Sequence, residues 1–267
     1  QVIQGSAVVV VVLNLMSLWK QEARGQSRGA REKQGFQNNW RRLMAQPKMR
    51  RFLWTVALGT AAFSMQDIVL EPFGAEVLGL EVGDTSALTA LSAGGALLAF
   101  FASAKWLERG IHACRLASGG VLLGLPAFAF VIFSAPLESA ALFRIGTFLI
   151  GFAGGLFSVG MLVTAMSFRD GVESGLVLGA WGAVQATAAG VAMAVGGLLR
   201  DGVAELALQG DLGESLTSAA TAYSFVYHIE IYMLFVVLIA LGPLVRQHNQ
   251  ESSQGSRQSF GLAEFPS

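Results

Sequence analysis

Long apolar stretches alternate with short polar connections along the whole chain. Five uncharged runs of at least 18 residues are present, over 1–19, 85–104, 116–137, 145–168 and 174–199. A bilayer core of about 30 Å takes roughly 20 helical residues, so each run predicts a transmembrane helix. Two further stretches have the length but carry acids: 52–75 contains Asp67 and Glu71, and 223–245 contains Glu230. The pattern therefore predicts seven spans. The runs are too long for β-barrel strands and do not alternate as such strands would. The expected fold class is an all-α polytopic membrane protein.

Composition agrees with this pattern. Hydrophobic residues are 53% of the chain and charged residues 13%, and glycine supplies 32 of 267 positions. Glycine lets helices pack closely where no water is present to drive them together. The single cysteine, Cys114, excludes a disulfide framework and a cysteine-rich metal site.

A net charge of zero conceals a strong asymmetry. The 20–51 segment holds ten Lys and Arg against Glu22 and Glu32, which leaves it at +8 and the remainder at −8. If that segment is cytoplasmic, the same side also receives 105–115, 169–173 and the tail from 246. That side then carries 16 of the 18 basic residues, as the positive-inside rule requires. The opposite loops are acidic, and Arg144 is placed to pair with one of their acids.

Four regions follow. Residues 1–19 form a transmembrane helix, with no basic n-region that would mark a signal peptide. Residues 20–51 form a basic cytoplasmic loop, flexible over 25–35, and 37–51 reads either as a short interfacial helix broken at Pro47 or as a solvated linker. Residues 52–245 form a six-helix transmembrane domain, and 246–267 a polar cytoplasmic tail expected to be disordered. The chain begins without Met inside a hydrophobic run, so it reads as the C-terminal part of a longer protein. The basic loop suits an anionic leaflet, which makes membrane lipid the expected partner and nucleic acid not one.

Acids within a span are costly and are functional candidates by default. Asp67 and Glu71 are four residues apart and share a helix face. Gln66 adjoins them, Pro72 follows, and Glu76 lies a turn further on. Three roles compete for this polar group: a proton relay, a ligand for a cation or metal centre, and a hydrogen-bonded lock between helices. His228 is a candidate axial ligand for a metal in a macrocycle, with an interfacial polar residue as the plainer reading. Small residues recur at helical spacing in two spans: Gly151, Gly154 and Gly155 in one, and Gly175, Gly179, Gly182, Ala186 and Gly190 in the other. Helix packing explains them, and a flat ligand is a second use. Pro72 and Pro126 are expected to kink their spans. No catalytic triad, phosphate-cradling loop or zinc spacing occurs, so neither an enzyme nor a metal centre is expected.

The loop containing Lys105, Glu108, Arg109, Gly110 and Arg115 resembles the acidic–Arg–x–Gly–Arg loop of the major facilitator superfamily. That loop follows the second and eighth of twelve helices. The likeness implies that 1–19 is helix six and that the rest is the C-terminal six-helix half of a major-facilitator-type fold. The segment MQDIVLEPFGAEVLGL over 65–80 is similar to the helix-seven signature of PucC/LhaA-type light-harvesting complex assembly proteins. GAWGAVQAT over 179–187 and GGLLRD over 196–201 resemble the same family, and the likeness covers roughly 50–245.

This resemblance implies a photosynthesis assembly factor in a bacterial inner (intracytoplasmic) membrane. Its cofactor, bound or transferred, would be bacteriochlorophyll. Its partners would be antenna polypeptides, with the reaction-centre core complex and pigment-synthesis enzymes as further ones. Gln66, Asp67, Glu71, Glu76 and His228 would then be pigment or proton sites, among which nothing in the sequence selects. Two alternatives stay open: a proton-coupled transporter using Asp67 and Glu71, and an antenna scaffold that binds no pigment.

Overall fold

The computed structural model describes residues 29–168, 174–209, 213 and 216–258, with side chains over 37–168, 175–209, 213, 216–218 and 220–245. The expected first span, 1–19, lies outside the described residues. The chain divides into two units, Gln1–Arg41 and Arg42–Ser267.

The described elements are helical and none is a strand. Helix α1 is Gly29–Ala45 and α2 is Pro47–Ser64, followed by a 3-10 turn, Met65–Ile68, and a short α3, Leu70–Glu76. Then come α4 (Val82–Glu108), α5 (Ala113–Ser134), α6 (Ala140–Ser167), α7 (Ser174–Gln209) and α8 (Ala219–Gln258). Six stretches are long and apolar enough to cross a membrane: Pro47–Glu76, Val82–Glu108, Ala113–Ser134, Ala140–Ser167, Gly175–Gln209 and Ala220–Val245. This is a multi-pass membrane protein.

Prolines set several boundaries. Gln46 is extended, with φ −79 and ψ 118, and Pro47 opens α2 at its first position. A residue before proline avoids the α conformation, and proline at the first helical position gives up no needed N–H. Pro47 thus starts a helix of membrane length, and α1 ends before it at Ala45, so the chain breaks where the sequence predicts. Pro72 acts upstream of itself. It lacks the N–H that would bond the Ile68 carbonyl and its ring crowds that carbonyl, and the α-helix gives way to the 3-10 turn that ends at Ile68. Helix α5 runs continuously through Pro126. At the far end α8 continues to Gln258, so the segment expected to be a disordered tail is helical as far as that residue.

Helix α6 packs along both α4 and α5, α2 packs against α7 and α8, and α5 against α8. Glycine permits the closest of these approaches. A Cβ on Gly151 would strike the Ser92 carbonyl of α4, and one on Gly155 would lie 2.7 Å from the Ala99 Cβ. The core is aromatic: Phe73 lies 5.1 Å from Phe143 and meets Tyr223 and Tyr227 edge-on at 5.5 and 5.7 Å. Edge-to-face geometry of this kind adds about 0.5–1.5 kcal/mol per pair to packing. It fixes the short α3 against α6 and α8, and so fixes the position of the break just before it.

Candidate functional site

The break in the first described span carries the most unusual polar chemistry. Gln66 is buried on the 3-10 turn and donates from Nε2 to Asp67 Oδ1 at 2.8 Å. Its own Oε1 is buried without a hydrogen-bond partner. Asp67 lies on the open face of the bundle. Behind the turn, Glu230 of α8 is wholly buried, and neither of its carboxyl oxygens has a hydrogen-bond partner. It lies against the Gln66 backbone and within electrostatic reach of Asp67. Tyr227, one turn earlier on α8, is equally buried, with its hydroxyl unpaired.

The other two acids of the sequence motif go elsewhere. Glu71 is exposed and accepts a hydrogen bond from Thr89 of α4 at 2.7 Å. Glu76 meets Arg200 of α7 at 2.7 Å and accepts from the Tyr223 hydroxyl at 2.7 Å. Arg200 also reaches Asp201 at 2.9 Å and stacks over the Tyr223 ring at 4.8 Å. Gln66 and Asp67 therefore stay together, while Glu71 and Glu76 serve separate contacts between helices. Arg144 pairs with Asp84 at 2.9 Å, one of the acids on its side. Glu230 is the partner that spacing along the Asp67 helix does not reveal, and Arg200 is the second. Glu230's one sequence signal is an acid in an otherwise apolar span.

His228 lies at the same end of the bundle as the Arg200 cluster, exposed in an apolar cleft of about 840 Å³. Val77, Pro136, Val203, Leu206 and Phe225 line the cleft. His228 Nδ1 lies 2.6 Å from the Ser224 carbonyl oxygen. A carbonyl only accepts, so Nδ1 carries a proton, and in the neutral form of the ring the Nε2 lone pair is the one left for a ligand. This second hydrogen bond is the usual device that orients an imidazole toward a metal. Among the described residues there is no group of three or more His, Cys, Asp or Glu placed to hold a metal ion.

The two glycine-rich spans differ. Gly151 and Gly155 of α6 are pressed against α4, whereas Cβ atoms on Gly175, Gly179, Gly182 and Gly190 of α7 would meet nothing within 4 Å. Ala186 lies in the same row and is exposed. Only further along α7 does a glycine mediate contact: a Cβ on Gly196 would lie 2.6 Å from Met65. The loop from Lys105 to Arg115 is a helix stop. Gly110 has φ +83, Ile111 N–H bonds the Trp106 carbonyl at 3.0 Å, and Gly110 N–H bonds Leu107 at 2.9 Å. This is a Schellman-type end, in which glycine takes the left-handed conformation at low cost. Glu108 closes α4, Arg109 caps it, and Arg115 lies in the first turn of α5.

The family model described as "PUCC protein" matches residues 1–249. The chain belongs to the PucC family. It is 46% identical over 271 residues to an "Uncharacterized protein in puhA-bchM intergenic region" of Rhodobacter capsulatus, covering 100% of this chain and 57% of that protein. It is 45% identical over 208 residues to "Protein PucC" of Rhodovulum sulfidophilum, covering 76% of this chain and 46% of that one. The chain thus spans about half the length of these relatives. Among solved structures, a bacterial homolog of the human lysosomal transporter Spinster, inward-facing and unoccupied, matches with a TM-score of 0.57. At 18% identity, over 90% of this chain and 56% of that one, the likeness shows a major-facilitator-type fold.

Proposed function

We propose that this PucC-family chain is the C-terminal part of a non-enzymatic factor that assembles light-harvesting antenna complexes in the photosynthetic membrane of a purple bacterium. It holds bacteriochlorophyll at the His228 cleft and passes it to antenna polypeptides. The observation that carries the pigment reading is the His228 ring. Its Nδ1 bonds the Ser224 carbonyl, which leaves Nε2 to face a ligand, and it sits in an apolar cleft of about 840 Å³. That size is within the range of cofactor pockets, about 300–1,000 Å³. Magnesium in a tetrapyrrole takes an axial donor, and a neutral imidazole supplies one without introducing charge into an apolar site. Val203, Leu206 and Phe225 would contribute apolar contact to the ligand.

The open row of Gly175, Gly179, Gly182, Ala186 and Gly190 gives an antenna helix a surface for close approach. The reaction-centre core complex and pigment-synthesis enzymes are further partners in this proposal, since delivery needs a source and a destination. By the positive-inside rule the Lys105–Arg115 end faces the cytoplasm, and the His228 cleft faces the opposite side. The transporter alternative rests on Asp67 and Glu71 acting together, and Glu71 is instead bonded to Thr89. A scaffold without pigment leaves the oriented imidazole without a role.

The test is purification of the full-length protein from a pigment-making host. The proposal expects a bacteriochlorophyll absorption band and co-purified antenna polypeptides. A colourless protein that associates with antenna polypeptides would instead support the scaffold.

A further inference from the structure

The break at Met65–Ile68 gathers buried oxygens in the bundle interior with no cation among the groups that face them. Glu230 is 0% exposed, and neither Oε1 nor Oε2 has a partner in good hydrogen-bond geometry, the Gln66 backbone N–H being the donor beside them. Gln66 is 2% exposed, its Oε1 is likewise unpaired, and one of its two amide N–H groups is committed to Asp67. The titratable groups facing Glu230 are Asp67 from the turn and Tyr227 from its own helix, and neither is a cation. An uncompensated carboxylate in such surroundings is expensive, more so beside a second one. Gln66 connects the two acids, since it is bonded to Asp67 on the open face and its backbone lies against Glu230 inside. Discontinuous membrane helices with buried oxygen ligands are the settings in which small cations are held.

We infer that Gln66, Asp67 and Glu230 form an exchangeable site for a small monovalent cation, a proton or an alkali-metal ion, entered from the Asp67 face. Glu230 supplies the buried charge, the Gln66 carbonyl a neutral oxygen, and Asp67 the entry. The site is separate from the His228 cleft. Residues 228 and 230 lie about 200° apart around α8, at 3.6 residues per turn. Occupancy therefore does not depend on pigment, and the site stands even if the pigment reading fails.

The experiment uses full-length protein in detergent, wild type and Glu230→Gln. Thermal midpoints are compared in sodium chloride and in choline chloride of equal ionic strength. The infrared band of protonated carboxyl groups is followed as pH is varied. A sodium-dependent rise in midpoint that Glu230→Gln abolishes supports the alkali-ion form. A carboxyl band that titrates in wild type and is absent from Glu230→Gln, without a sodium effect, supports the proton form. Asp67→Asn should weaken whichever response is seen by about tenfold, through loss of the neighbouring charge. Identical sodium and pH responses in wild type and Glu230→Gln overturn the site. If Glu230→Gln does not fold, an unshifted response in Asp67→Asn overturns it.

Discussion

Arg200 and Glu76 are 124 residues apart in the chain and 2.7 Å apart in space. The pair joins the end of α3 to α7, and the Tyr223 hydroxyl ties both to α8. The Arg200 side chain is 26% exposed and that of Glu76 48%, so solvent weakens the pair and its value is near the upper end for exposed ion pairs, about 1 kcal/mol. Glu76→Ala and Arg200→Ala should each lower unfolding stability by about that amount. Both variants lose the shared ion pair, and Arg200→Ala also loses its contacts with Asp201 and Tyr223, so the double variant should cost less than the sum of the two single ones. A double-mutant cycle by thermal unfolding in micelles checks this, and strict additivity would show the two residues to be uncoupled.

The glycines of α6 and α7 should respond in opposite ways. Gly151→Ala forces a methyl onto the Ser92 carbonyl, and overpacking of this kind costs about 1–3 kcal/mol. Gly190→Ala meets nothing and removes helix-destabilising glycine, so stability should rise by about 0.5–1 kcal/mol. If the α7 row receives an antenna helix, Gly182→Leu should fold normally yet reduce antenna assembly. Comparing unfolding midpoints with assembled antenna in cells distinguishes the two effects.

Pro72 should govern the break in the first described span. Pro72→Ala restores an N–H that can bond the Ile68 carbonyl, worth about 1 kcal/mol net. Hydrogen exchange at Val69 and Leu70 should slow by roughly tenfold as α-helix extends through the turn. Unchanged exchange would mean that packing by Phe73 holds the break and the proline does not.

The spans are legible in the sequence because an uncharged run of about 20 residues matches the bilayer thickness and little else, and the described helices fall where those runs do. What spacing misjudges is local to proline. Pro47 breaks the 37–51 stretch as expected, but the residues after it begin a helix that runs on to Ser64. Pro72 reads as a kink at its own position, yet its effect falls on Met65–Ile68 because the lost hydrogen bond reaches back four residues. Pro126, the same residue type within an apolar span, leaves its helix continuous from Ala113 to Ser134.

Pairing across the bundle is much less legible. Glu76 shares its helix with Asp67 and Glu71 in the sequence pattern but belongs with Arg200, a contact set by how α3 meets α7. Glu230 reads as a lone acid, and only the packing of α8 on the 3-10 turn brings it beside Gln66. The small-residue rows of α6 and α7 look alike in sequence. One is packed and the other open, because that difference depends on which neighbour each helix faces. His228 is visible as a residue, but its cleft draws walls from α3, the α5–α6 connection and α7.

The pigment reading depends on Nε2 of His228, so the absorption spectrum of the purified full-length protein, wild type against His228→Ala, is its most direct test. His228 is exposed and bonds only its own helix through Ser224, so its removal should leave the unfolding midpoint almost unchanged. The account predicts a bacteriochlorophyll band in wild type that is lost or shifted in His228→Ala at equal protein stability. An identical band in both proteins, or no band in either, would contradict it.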